Sequence, residues 1–178
     1  SSPPFGLDIE VNNINVGRGG VMSGATVPIT NTALGNQVCS SLTSGSENTN
    51  IGYIASNSLT TGDGNVSVGA GAGFGLVSGS HNVSIGSNTS NSVVSGNSNT
   101  ALGYSADQSG DWDNTTCLGA FSYATGDNAT AIGFQASAGE HEIVLGTADE
   151  TVICRNTLSV AGLITSATPA TNTDDTTV

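Results

Sequence analysis

Apolar residues recur along this chain at one fixed place in a short glycine-closed phrase, and that recurrence predicts its elements. Five asparagines, Asn31, Asn48, Asn65, Asn82 and Asn99, stand 17 residues apart and open the phrases NTALG, NTNIG, NVSVG, NVSIG and NTALG. Looser copies follow as TTCLG, ATAIG and EIVLG, with spacings shortening to 16, 14 and 13 residues. The residue before the closing glycine is aliphatic every time: Leu34, Ile51, Val68, Ile85, Leu102, Leu118, Ile132 and Leu145. Stacked coil upon coil, these predict one continuous apolar ladder. Three residues after that glycine comes a mostly small series: Val38, Ala55, Ala72, Thr89, Ala106, Ser122 and Ala136. Small side chains there permit close approach of another strand or another chain. The longer units add an apolar position at Leu42, Leu59, Leu76 and Val93.

A second glycine divides each unit, at Gly45, Gly62, Gly79 and Gly96 and then at Gly110, Gly126 and Gly139. A unit of 13 to 17 residues with two glycine corners reads as two short strands and two turns, one coil of a solenoid. The expected fold class is therefore all-β, a parallel β-roll. Its early coils carry about three extra residues in one arm, so the cross-section should widen over the first half. The asparagine ladder admits a binding role. Turn chemistry favours the plainer reading, in which the amides bond along the coil axis.

The flanks read differently. Residues 1–30 form a β connector in which Leu7, Ile9 and Val11, then Ile14 and Val16, alternate with polar neighbours. Residues 31–153 are the roll. Residues 154–178 hold an exit strand (Leu158, Val160, Leu163 and Ile164) and a linker from Pro169 through a Thr/Asn/Asp run. The chain opens on Ser1-Ser2-Pro3-Pro4 and reads as a piece of something longer.

Composition narrows the field. Charged residues make up 9% of the 178, against roughly 25% in ordinary domains, and glycine supplies 25 residues. Gly, Asn, Ser and Thr disfavour long helices. The recurring aliphatic positions argue against disorder. A net charge of −12 with two basic residues, Arg18 and Arg155, opposes nucleic-acid binding and anionic membrane surfaces. Nothing approaches a bilayer-spanning apolar run. Cys39, Cys117 and Cys154 are odd in number and widely spaced, which fits buried free thiols better than disulfides or zinc.

Candidate chemistry is sparse. The stretch Gly69 to Gly75, GAGAGFG, has the look of a phosphate loop but lacks its lysine and its strand–helix setting. His81 and the Glu140-His141-Glu142 triplet read as solvated corners, because successive strand residues alternate in direction and make a poor metal cage. No nucleophile–base pair and no carboxylate pair stands out, so no enzyme activity, cofactor or metal is expected. Asp111-Trp112-Asp113-Asn114 is the one candidate contact site. It holds the sole tryptophan where the repeat changes length. An exposed indole there could stack on a sugar while Asp111, Asp113 and Asn114 bond its hydroxyls. The alternative is an indole folded back over the roll edge. Sequons at Asn65, Asn82, Asn88, Asn114 and Asn128 follow from composition.

Few apolar residues per coil make a single slender roll marginal, so association around a common axis, as a homotrimer, is expected. The stretch SYATGDNATAIGFQASAGE, Ser122 to Glu140, resembles the head repeat of trimeric autotransporter adhesins, the YadA-like family, and the likeness extends over Asn31 to Gly146. That resemblance implies a left-handed parallel β-roll, three chains about a threefold axis, and a role in surface adhesion. The run VNNINVGRGG, Val11 to Gly20, and the tail from Thr157 to Val178 resemble instead the flanks of such repeats in tail-fibre proteins of bacterial viruses. The expected function is thus a fibre or spike module on a virion surface that contacts host glycans or a protein receptor alongside other virion tail or fibre proteins. The head of a bacterial surface adhesin is the alternative. An ice-binding solenoid would need a uniform threonine face, and Thr32, Thr49, Val66, Val83 and Thr100 are too mixed for one. A solenoid lyase or hydrolase would need a catalytic cluster.

Overall fold

A computed structural model describes residues 9–11, 14–17, 30–147 and 151–153. Two short strands, β1 (Ile9–Val11) and β2 (Ile14–Gly17), form an antiparallel hairpin at the start of the sheet. Strand β2 pairs antiparallel with β3 (Thr32–Gly35), the first rung of the repeat. Seven further rungs stack on it in parallel: β4 (Thr49–Ile51), β5 (Val66–Val68), β6 (Val83–Ile85), β7 (Thr100–Leu102), β9 (Thr116–Leu118), β11 (Thr130–Ile132) and β13 (Ile143–Leu145). Register follows the sequence phrase without slippage, Thr32 on Thr49 on Val66 on Val83 on Thr100, then Thr116, Thr130 and Ile143. The chain is an all-β parallel solenoid, as its periodicity requires.

A second, three-stranded parallel sheet forms only in the later coils: β8 (Asp107–Gln108), β10 (Tyr123–Ala124) and β12 (Ser137–Ala138). The expectation of two strands in every coil is corrected here. In the 17-residue coils the opposite wall is a run of turns, with Cys39, Ser56, Gly73 and Ser90 all at positive φ. The extra residues curl inward and bring Leu42, Leu59, Leu76 and Val93 to full burial. Shorter coils lack that loop, and their walls close on alanine: Ala101, Ala106, Ala124, Ala129, Ala131, Ala136 and Ala138, with Cys117. The roll thus has a wide leucine-filled half and a narrow alanine-filled half. Gln108, fully buried and in register with Ala124, fills the step between them.

The asparagines hold coil to coil. Asn48 donates its backbone N–H to Asn31 Oδ1 at 2.7 Å, and its side-chain Nδ2 donates to the Gly62 carbonyl at 2.9 Å. The series ends when Asn99 accepts from both the backbone N–H and the hydroxyl of Thr115. Positive φ falls one residue earlier, at Glu47, Gly64, His81, Ser98, Asn114, Asn128 and His141. The ladder asparagines therefore serve through their amides rather than through their tolerance of a turn. Both histidines occupy such corners and are exposed.

The two glycine series differ. Gly52, at φ +137°, needs glycine for its conformation, as expected. Gly62 has an ordinary φ, and a Cβ there would overlap the Gly79 carbonyl oxygen of the next coil. Close approach to backbone, not positive φ, is what excludes a side chain at Gly45, Gly62, Gly79, Gly96 and Gly126 of the second series. The stretch from Gly69 to Gly75 runs from the end of β5 through turns with no helix, the repeat corner and nothing more.

Positions expected at Leu7, Arg18, Cys154, Leu158, Val160, Leu163, Ile164, Pro169 and the tail lie outside the described residues.

Candidate functional site

Strand alternation decides what each face presents. In the large sheet the middle residue of each rung points inward: Ala33, Asn50, Ser67, Ser84, Ala101, Cys117 and Ala131 are buried. The two flanking residues therefore point out. The ladder from Leu34 to Leu145 is continuous, as the repeat predicts, but it lies on the outer face, with Leu102 41% and Leu145 48% exposed. The small series from Val38 to Ala136 is the one that lies inside, buried against the roll's own opposite wall. Beside the ladder runs a second outward row, Thr32, Thr49, Val66, Val83, Thr100, Thr116, Thr130 and Ile143. Eight rungs at about 4.8 Å spacing make this face roughly 34 Å long.

The tetrad from Asp111 to Asn114 is engaged in stacking. Asp111 Oδ1 accepts the backbone N–H groups of Val94 at 2.6 Å and Ser95 at 2.8 Å. Those donors, Ser95 foremost, hold its carboxyl below the usual aspartate range. Asp113 Oδ1 accepts from the Asn97 backbone at 2.6 Å, one step of a ladder that continues through Asp127. Asn114 is a left-handed corner at φ 59°. Trp112 is half-buried, its ring lies over Gly110, and its backbone carbonyl accepts from Asn99 Nδ2 at 2.7 Å. Its indole N–H is enclosed without a partner among the described residues.

Next to this tetrad lies a groove the sequence reading missed. It has a volume of about 510 Å³ and is lined by Ser92, Ser105, Asp107, Ser109, Phe121, Tyr123 and Gln135. The step from wide to narrow coils creates it. Ser92 overhangs from the last wide coil, while outward residues of β8 and β10, Asp107 and Tyr123, form its floor in adjacent register. Asp107 ties the overhang down: Oδ2 accepts the Ser92 hydroxyl at 2.7 Å and Oδ1 accepts the Ser92 N–H at 3.2 Å and the Gln108 N–H at 2.9 Å. Burial nevertheless pushes its carboxyl above the usual value. Phe121 is held edge-on between Tyr104, at 5.2 Å between ring centres, and Phe134, at 6.1 Å. The sequence signal was present in the crowding of Tyr104, Phe121, Tyr123 and Phe134 around the change in repeat length.

Behind the floor lies Cys117, buried and free like Cys39. Burial first, then the Asp107 charge, pushes the Cys117 thiol up to about 12. Among the described residues no cluster of His, Cys, Asp and Glu could hold a metal ion. Among the described residues the His141 ring meets the Glu140 carboxylate, at 3.5 Å, and the Asn128 amide, at 3.4 Å. No described helix is long and apolar enough to cross a membrane.

No family model, curated protein or solved structure matches the chain. The structure by itself supports a parallel β-solenoid.

Proposed function

We propose that this chain is a structural attachment module of a virion tail fibre or spike, working as a homotrimer on the virion surface beside other tail or fibre proteins. One observation carries the reading: the largest regular row of aliphatic side chains lies outside the roll. The interior is filled by alanine, serine and a few leucines, so a lone roll leaves its best apolar surface in water. Three rolls joined through these faces would bury it, and the ladder's straight register suits a shared axis. The left-handed winding and threefold packing of adhesin heads belong to this proposal. Glycans or a protein on the host surface are the receptor it implies. The head of a bacterial adhesin is the second reading, favoured by the Ser122 to Glu140 motif. We read neither as an enzyme, and assign no cofactor.

Light scattering after size exclusion tests it. A mass near three times 17.5 kDa is expected. Val68→Asp with Leu102→Asp, both on the outer face, should reduce it to a monomer that keeps its β signature. A monomeric wild-type chain, or a trimer indifferent to both charges, would sink the proposal. Labelled trimer should also adsorb to some members of a panel of bacterial cells.

A further inference from the structure

We infer that the groove between Ser92 and Gln135 is a binding site for a neutral mono- or disaccharide. The inference deepens the attachment reading and rests on it for its biological setting. Its volume of about 510 Å³ falls within the roughly 300–1,000 Å³ of small-ligand sites. Its lining has the two halves that sugar recognition needs. Phe121 and Tyr123 are 44% and 41% exposed, and aromatic side chains are suited to the C–H face of a pyranose. Phe121 is already fixed by its edge-on neighbours, so little freedom is lost on binding. Around the rings stand the hydroxyls of Ser105 and Ser109 and the amide of Gln135, which form no side-chain hydrogen bond among the described residues. These groups can both donate and accept, as vicinal hydroxyls require.

Charge selects within the sugars. The described residues contain no lysine or arginine, and the groove holds the Asp107 carboxylate at its floor. A sialic acid, uronic acid or phosphate would meet that carboxylate, and no lysine or arginine among the described residues would balance it. An uncharged hexose or N-acetylhexosamine presents only hydroxyls and an amide, which Ser105, Ser109 and Gln135 can satisfy. The Asp111 to Asn114 tetrad is less suited to this task, because the Asp111 and Asp113 carboxylates already hold the neighbouring coil.

The test is ligand-observed NMR with the full chain. Probes are the methyl glycosides of glucose, galactose, mannose and N-acetylglucosamine, with N-acetylneuraminic acid as the anionic comparison. At least one neutral glycoside should show saturation transfer and shift the Tyr and Phe ring signals. Phe121→Ala and Tyr123→Ala should each weaken it roughly tenfold. Gln135→Ala should weaken it several-fold, and Tyr53→Ala, on a distant coil, should change nothing. Circular dichroism confirms that each variant folds, and Gln135→Ala, at an exposed position, serves if an aromatic variant does not. No binding of the neutral probes, binding of the anionic probe alone, or binding that ignores all three groove substitutions overturns the inference. Cell adsorption that persists without glycoside binding removes the groove and leaves the attachment reading standing. Glycoside binding by a protein that adsorbs to no cell does the reverse.

Discussion

Asn65 accepts the backbone N–H of Asn82 on its side-chain oxygen at 2.9 Å while its own amide donates to the Gly79 carbonyl at 2.9 Å. One fully buried side chain thus ties a coil to two backbone groups of the next.

Asn65→Ala leaves a buried N–H and a buried carbonyl without partners, each worth about 1–3 kcal/mol. A loss of about 2–4 kcal/mol in urea unfolding is expected. Asn65→Asp should be no milder, since it sets an acceptor against the Gly79 carbonyl. A change below about 0.5 kcal/mol for the alanine variant would show that the ladder contributes no stability.

Gly62→Ala and Gly139→Ala separate close approach from backbone conformation, because neither glycine has positive φ. At Gly62 the added methyl meets a backbone carbonyl that cannot retreat, and a loss of about 1–3 kcal/mol or more is expected. At Gly139 it meets only the flexible Glu142 carboxylate, at 3.1 Å. That variant should stay within about 0.5 kcal/mol of wild type. Equal melting temperatures for the two would contradict the account.

Leu59→Ala empties the centre of the wide half, where Leu59 is fully buried. About 2–5 kcal/mol should be lost. Alanine at Leu34, on the outer face, should cost a monomer far less. Comparing the two in a monomeric background checks which ladder is the core.

Iodoacetamide at pH 8 should spare Cys39 and Cys117 in the folded protein, since burial pushes both thiols up to about 12. Both should react once urea unfolds the chain. Peptide mapping reads the result, and native labelling at the rate of a free thiol would contradict the burial.

Carboxyl NMR across an acid titration should place Asp111 below the ordinary aspartate value and Asp107 above it. The signs differ in consequence. Asp111, depressed in the fold, contributes stability above its unfolded pKa, and this is lost as pH falls through the folded one. Asp107, raised by burial, contributes most below its unfolded pKa and loses that as pH rises through the folded one. A reversed order of titration would refute the assignment.

Much of the fold was legible because a solenoid repeats one local problem. The 17-residue spacing of Asn31 to Asn99 set the register, and the parallel pairing of Thr32 with Thr49 follows from it. The glycines marked two recurring places in each coil, while further corners fall on residues such as Glu47 and His81. The side of the wall was less legible. Leu34 and Val38 are both apolar and four residues apart, and a corner of unknown geometry lies between them. Which one faces inward depends on how that corner turns.

The candidate site was harder still. Trp112 drew notice as a rare residue, yet its neighbours Asp111 and Asp113 proved to be spoken for by backbone donors one coil away. The groove joins Ser92 to Gln135 across four coils, and no local pattern connects them.

By itself, then, the sequence determined the all-β solenoid, its coil lengths and its stacking register, because those depend on periodicity and glycine alone. Only the tertiary structure decided that the aliphatic ladder faces outward, that Leu42 to Val93 plug the wide half, and that the step to narrow coils opens an aromatic groove. Those outcomes depend on how each coil bends before it meets the next, and three-dimensional closure is a property no single repeat contains.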